Sequence, residues 1–417
     1  MTTSTLTDDP DVVRLGGVCA RGAGPRAGSP PHPSPLRVAL LGNHPPRRCG
    51  IATYTRDVAA ALRGAGHAVH VTAMTEPGAF HDYGRAVDRP ACAGSRADHA
   101  AAGRAIAAWS PDVVLVEHEF GIFGGPAGRW LHDLMDAAGA PAVVTLHTVL
   151  ERPTPEQRAV MTGLEARAAA FVVMAERGRR ILRASGAGGP PIEVIAHGAP
   201  DRPLVAPEAM RDRLGWPERP TLLTFGLLSP GKGIETVLEA LPAIRARVPG
   251  IRYVLLGATH PHLVAREGEA YRDGLRARAR ALDVEDALHM IPRYVEDGVL
   301  CDALQAADVY LTPYAGEAQI TSGTLAYALA LGVPTISTPY WHAREALPSE
   351  HLFPHGDAGA LARAASDLLL DEDRRRMVAR ETWLRARGTV WSSHAERLGA
   401  VLREAARAAA DWRARSA

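Results

Sequence analysis

The stretch Thr221-Leu-Leu-Thr-Phe-Gly-Leu-Leu-Ser-Pro-Gly-Lys-Gly-Ile-Glu235 limits what this chain can become more than any other. Thr221 to Phe225 is an apolar run of strand length. Four breakers follow: Gly226, Pro230, Gly231 and Gly233. Ile234, Val237, Leu238, Leu241 and Ile244 then recur at the spacing of one helix face. A strand therefore feeds a glycine-rich loop, and the loop feeds a helix N-terminus. Backbone N–H groups at such a start lack intrahelical partners and lie at the positive end of the helix dipole. The junction suits an anion, and Lys232 brings a mobile cation to it. From this stretch alone, an ordinary strand–loop–helix connection with a solvated lysine reads equally well.

The same alternation runs through the rest of the chain. Upstream, strand-like runs occur at Leu36–Leu41, Ala68–Ala73, Val113–Val116, Ala142–Leu146, Phe171–Met174 and Ile192–Ile195. Helical patterns lie between most of them, the first from Ile51 to Arg63. Downstream, the runs are Leu222–Phe225, Arg252–Leu256, His289–Ile291, Val309–Thr312 and Thr335–Ser337. Strands separated by helices imply α/β domains with mostly parallel, doubly wound sheets. Two series in 417 residues imply two such domains facing a central cleft. The segment from His197-Gly-Ala-Pro200 to about Pro220 is proline-rich and poor in large apolar residues, and reads as the connection. The expected divisions are 36–203, 204–388 and a terminal helix over 389–417. Residues 1–35 hold too few apolar groups to offset ordering entropy and read as a disordered leader.

Composition removes several classes of function. A formal net charge of +1 gives no bulk attraction for nucleic acid. Cys19, Cys49, Cys92 and Cys301 are far apart and form no C-x-x-C pair, so neither a disulfide framework nor a metal site is expected. No apolar run approaches the roughly 18 residues of a membrane span, and the N-terminus lacks a basic-then-apolar signal pattern. A cytoplasmic protein is expected. The Arg-rich terminal helix, with Leu398, Val401, Leu402 and Ala405 on one face, would span back over the first domain; peripheral contact with acidic lipid stays open.

Polar residues cluster where strands end. Gly42 to Gly50 follows the first strand and ends in Cys49 and Gly50. Glu117, His118 and Glu119 end another strand, ahead of a Gly-Ile-Phe-Gly-Gly run that permits close backbone approach. His147 ends a third. Open α/β sheets bind ligands at the carboxyl ends of their strands. In the second half, Thr321 or Ser322 can cap a helix beginning near Gly323 and stopping at Gly332. The hydroxyls of Thr321, Ser322 and Thr324 make that helix start a second anion terminus.

These motifs, in this order, resemble the retaining glycosyltransferase family 4, of the GT-B fold. Gly-Ile-Ala-Thr-Tyr from Gly50 resembles the family's first glycine-rich loop. Gly226 to Gly233 resembles its Gly-Arg-Leu…Lys-Gly loop. Ala328-Leu-Ala-Leu-Gly-Val-Pro-Thr-Ile336 resembles its Ala-Met-Ala-x-Gly-x-Pro-Val-Val segment, and Trp391 its closing helix. The resemblance implies two Rossmann-like domains. A GDP- or UDP-sugar donor, of mannose or glucose type, would lie mainly on the second, and a carbohydrate or small-molecule acceptor on the first. It implies no cofactor beyond the donor. Lys232, Gly226, Gly231, Gly233, Gln319, Thr321, Ser322, Gly323, Thr324 and Tyr327 would hold the donor. His147 would reach the transferred sugar. His118 would line the cleft on the acceptor side, with Cys49, Gly50, Glu117 and Glu119. Three positions depart from the pattern. Leu227 stands where the family has arginine, and Gln319 and Tyr327 stand where it has a pair of glutamates; Glu317 lies close enough to substitute for the first. Those departures motivate a second expectation, a non-catalytic sugar-nucleotide-binding protein or partner subunit.

Overall fold

The first seven strands form one parallel sheet: β1 Arg37–Gly42, β2 Ala68–Thr75, β3 Arg89–Cys92, β4 Val113–His118, β5 Ala142–Leu146, β6 Ala168–Val173 and β7 Ile192–Val194. Their order is β3-β2-β1-β4-β5-β6-β7. The remaining five, β8 Thr221–Phe225, β9 Arg252–Leu256, β10 Leu288–Ile291, β11 Val309–Thr312 and β12 Thr335–Ser337, form a second parallel sheet in the order β10-β9-β8-β11-β12. This computed structural model describes residues 34–186 and 189–416. The leader expected over residues 1–35 lies, but for its last two positions, outside them. Two Rossmann-like lobes of this kind are the GT-B architecture.

Both sheets reverse their winding beside their first strand, between β1 and β4 and between β8 and β11. A crevice opens at such a switch point because neighbouring connections leave on opposite faces. The loops after β1 and β8 therefore open onto crevices, which is why the Gly226–Gly233 stretch dominates the chain.

The central strands are buried on both faces, as β1 and β4 are after their first residues. Such strands read as continuous apolar runs without alternation. One face of the first sheet is covered by the helices Arg96–Trp109, Leu131–Ala138 and Pro155–Glu165. The other is covered by the helix Gly50–Gly64 and by Ala395, Leu398, Leu402 and Ala405 of the terminal helix Trp391–Ser416. That last helix follows the second sheet in sequence but packs on the first. Its approach is paired: the Ala199 N–H donates to the Thr389 carbonyl at 3.0 Å, and the Trp391 N–H to the Ala199 carbonyl at 2.9 Å. The two crossings between lobes thus run side by side.

Three local expectations need correction. β3 is a four-residue edge strand containing Pro90; proline is tolerated there because an edge leaves backbone N–H groups unpaired. The segment expected as pure connection holds a helix, Pro207–Leu214, whose buried Arg211 pairs with Asp308 at 3.1 Å. The chain from about Glu381 to Ala417, which reads as helical throughout in sequence, is interrupted: one helix ends at Arg385, a tight turn covers Ala386–Thr389, and the next begins at Trp391. The interruption is where the chain pairs with Ala199.

Candidate functional site

A cavity of about 500 Å³ lies between the two sheets, at the carboxyl ends of their strands. Its first-lobe wall includes Cys49, Gly50, Tyr54, Glu119, His147 and Thr148. Its second-lobe wall includes Gly226, Leu227, Lys232, Gln319, Thr321, Gly323, Thr324 and Tyr327. His197, on the crossing segment, lines it as well.

Lys232 stands in a single tight turn, Pro230–Lys232, before the helix Ile234–Arg247. No side chain caps that helix. Gly233 supplies the left-handed turn into it, with φ of 65°, and a Cβ there would sit 1.9 Å from the Pro313 carbonyl oxygen. The Lys232 ammonium donates to the Tyr314 hydroxyl at 3.0 Å. That hydroxyl also meets Thr324 Oγ1 at 2.7 Å and Ser322 Oγ at 3.3 Å. Burial alone would raise the Tyr314 pKa, but the Lys232 charge and the hydroxyl contacts bring it below the ordinary tyrosine value. Ser322 caps the helix Gly323–Ala330, its Oγ accepting from the Leu325 N–H at 3.3 Å. One cation and one helix start are thus joined through a buried phenol. Nothing in the sequence marks Tyr314, because locally it is indistinguishable from a core tyrosine.

On the opposite wall, His147 Nε2 is 2.9 Å from Glu117 Oε2. Tyr54 packs edge-on against His147 with ring centroids 4.8 Å apart. The Tyr54 hydroxyl reaches His394 Nε2 at 3.1 Å. His394 Nδ1 lies 2.9 Å from the Ala196 carbonyl and must donate to it, so Nε2 accepts from Tyr54. His197 is neutral, its pKa pushed by burial down to about 3.

Several expected site residues lie off the cavity surface. His118 is wholly buried between Phe120 and Phe123, and neither ring nitrogen has a partner among the described residues. Burial drives its pKa to about 3, so it is a neutral core histidine rather than a cleft-lining group. Glu117 is also wholly buried, beneath His147, and does not face an acceptor. Ser322 is buried and acts as the cap. Gly231 and Gly233 shape the Lys232 turn without lining the cavity. Glu317 does not stand in for Gln319: it pairs with Arg344 at 2.9 Å and lines a separate hollow of about 330 Å³ with Trp341 and Arg177. Tyr327 lines the cavity, but its hydroxyl donates across the lobes to Asp57 Oδ2 at 2.9 Å. Basic groups absent from the expected set, Arg293 and His260, also line the cavity. Among the described residues, no group of His, Cys, Asp and Glu is arranged to hold a metal, and no helix is long and apolar enough to cross a membrane.

Residues 49–201 match the family model described as Glycosyltransferase Family 4, and residues 219–371 the one described as Glycosyl transferases group 1. The chain belongs to glycosyltransferase family 4. A relative from Mycobacterium tuberculosis, a GDP-mannose-dependent alpha-(1-6)-phosphatidylinositol monomannoside mannosyltransferase, is 31% identical over 218 residues. That match covers 49% of this chain and 52% of the relative, so this family member spans about half the length of the curated relatives it matches. Among solved structures, sucrose-phosphate synthase from Thermosynechococcus elongatus superposes with a TM-score of 0.69 at 18% identity, over 88% of this chain and 98% of that one. HepE from Anabaena, in complex with UDP and glucose, gives 0.71 at 15% identity, over 88% and 100%. At such identities the likeness is one of fold.

Proposed function

We propose that this family 4 protein is a retaining glycosyltransferase, moving a hexose of mannose or glucose type from a nucleotide-sugar to an acceptor hydroxyl. The observation that carries the reading is the Lys232–Tyr314–Thr324 contact set on one cavity wall, opposite His147 on the other. In the reaction the bond from the sugar's anomeric carbon to the diphosphate breaks, and the acceptor oxygen bonds to that carbon on the same face. The acceptor proton passes to the departing phosphate oxygen, which therefore serves as base. The barrier then depends on stabilising charge that grows on the diphosphate. Lys232 and the amides at the Gly323–Ala330 helix start supply positive potential there. Arg293 is a candidate for the cation that Leu227 does not provide. Tyr54, Glu119 and Thr148 would meet the acceptor. The reading needs no cofactor beyond the donor, and a cytoplasmic location with peripheral membrane contact accords with it. The mannosyltransferase relative speaks for a GDP-sugar and the UDP-bound neighbour for a UDP-sugar, so both donors are tested.

The test incubates the protein with GDP-mannose or UDP-glucose and candidate acceptors, and follows product and its anomeric configuration. Lys232→Ala should lower transfer by about two orders of magnitude or more while leaving the fold intact. An unaltered rate in that variant would remove Lys232 from the mechanism. Leu227, Gln319 and the engaged Tyr327 hydroxyl favour a second reading, a non-catalytic binding protein. Stabilisation by a nucleotide with no turnover of any donor would select it.

A further inference from the structure

Glu117 puts a titratable group where charge is costly. Its side chain is wholly buried. One carboxyl oxygen meets His147 Nε2, and the other has no partner among the described residues. A neutral side chain would fill the same volume without the desolvation cost. His147 lines the cavity, and its second ring nitrogen, Nδ1, makes no hydrogen bond to the described protein. The ring is also held edge-on by Tyr54, which His394 anchors in turn.

We propose that Glu117 is a positioning residue for His147: it holds the imidazole proton on Nε2 and so presents Nδ1 to the transferred sugar. This rests on the transfer reading above. With Nε2–H committed to the buried carboxyl, Nδ1 accepts from a sugar hydroxyl when the ring is neutral and donates when it is charged. The other titratable groups near the ring do not take that part. His118, His197 and His394 are neutral and would only oppose a charge on His147. Tyr54 presents a ring edge. Glu119 is taken up by the Thr148 hydroxyl and the Phe120 N–H. Lys232 lies on the opposite wall.

The experiment is imidazole nitrogen NMR on the full chain, wild type and Glu117→Gln, with His147→Gln used only to assign the signal. Wild-type protein should carry the neutral ring's proton on Nε2. In Glu117→Gln the Nδ1-protonated ring should appear beside it, because an amide can donate to Nε2 as well as accept from it. Transfer by Glu117→Gln should fall in kcat, with the donor KM changed less than kcat. The same ring tautomer and the same kcat in the two proteins would overturn the proposal. So would an Nδ1-protonated ring in the wild type, a result that stands even if Glu117→Gln fails to fold. Absence of transfer by the wild type would sink the transferase reading instead, while the NMR still decides the Glu117–His147 pair.

Discussion

Tyr314 and Lys232 have a testable division of labour. The Tyr314 hydroxyl touches Lys232, Ser322 and Thr324 at once, so Tyr314→Phe leaves three polar groups short of a partner. The cost should be about 1–3 kcal/mol of stability, read by denaturant unfolding, together with a several-fold rise in donor KM as Lys232 loses its anchor. A change in stability with no change in KM would make Tyr314 purely structural. The buried histidines set a pH dependence of stability. His118 and His197 titrate at about 3 and His342 and His394 at about 4 in the folded chain, against 6.5 for an ordinary histidine, in each case mainly through burial. Below about pH 6.5 the unfolded chain takes up protons on them that the folded chain refuses. Stability from these groups is therefore present above that pH and falls as the solution is acidified towards 4. Thermal midpoints measured from about pH 7 down to about pH 5 should decline steadily. Lys232 was legible as a candidate because a cation in a glycine-rich strand–helix loop suits an anion, although a solvated lysine fits the same loop. Its partner Tyr314 was not, because the pairing joins positions far apart in sequence.

The turn between β8 and its helix fails in a predictable way. Gly233 has φ of 65° and a Cβ position 1.9 Å from the Pro313 carbonyl oxygen, whereas a Cβ on Gly231 would meet nothing within 4 Å. Gly233→Ala should destabilise by more than about 1 kcal/mol and displace Lys232, lowering donor affinity. Gly231→Ala should be close to silent in both measurements. Equal effects would show that the turn tolerates both. Most elements could be read from the chain because each central strand is a buried apolar run and each helix repeats at its own period. β3 escaped because an edge strand needs no apolar run, and the helix Pro207–Leu214 because its anchor is a buried arginine.

Across the whole molecule, the lobes are tied at both ends of the cleft. The Glu345 carboxylate of the second lobe accepts from the N–H groups of Glu176 and Arg177, at 2.8 and 2.7 Å, at the start of a first-lobe helix. On the other side Tyr327 reaches Asp57, and Thr53 meets the Tyr294 hydroxyl at 2.9 Å. Glu345→Ala removes the cap and should widen the ligand-free protein, seen as a larger radius of gyration in solution scattering. An unchanged radius would mean the remaining ties suffice. The chain's order alone determined two wound sheets and a glycine-rich strand–helix loop at the head of the second, since periodicity and glycine placement act over a few residues. Only the tertiary structure decided which polar groups face the cleft. Glu117, His118 and His147 all end strands buried on both faces, where no alternation marks a side. Glu117 meets His147 from thirty residues away, and Phe120 and Phe123, though near His118 in sequence, close over it only because the loop after β4 turns back.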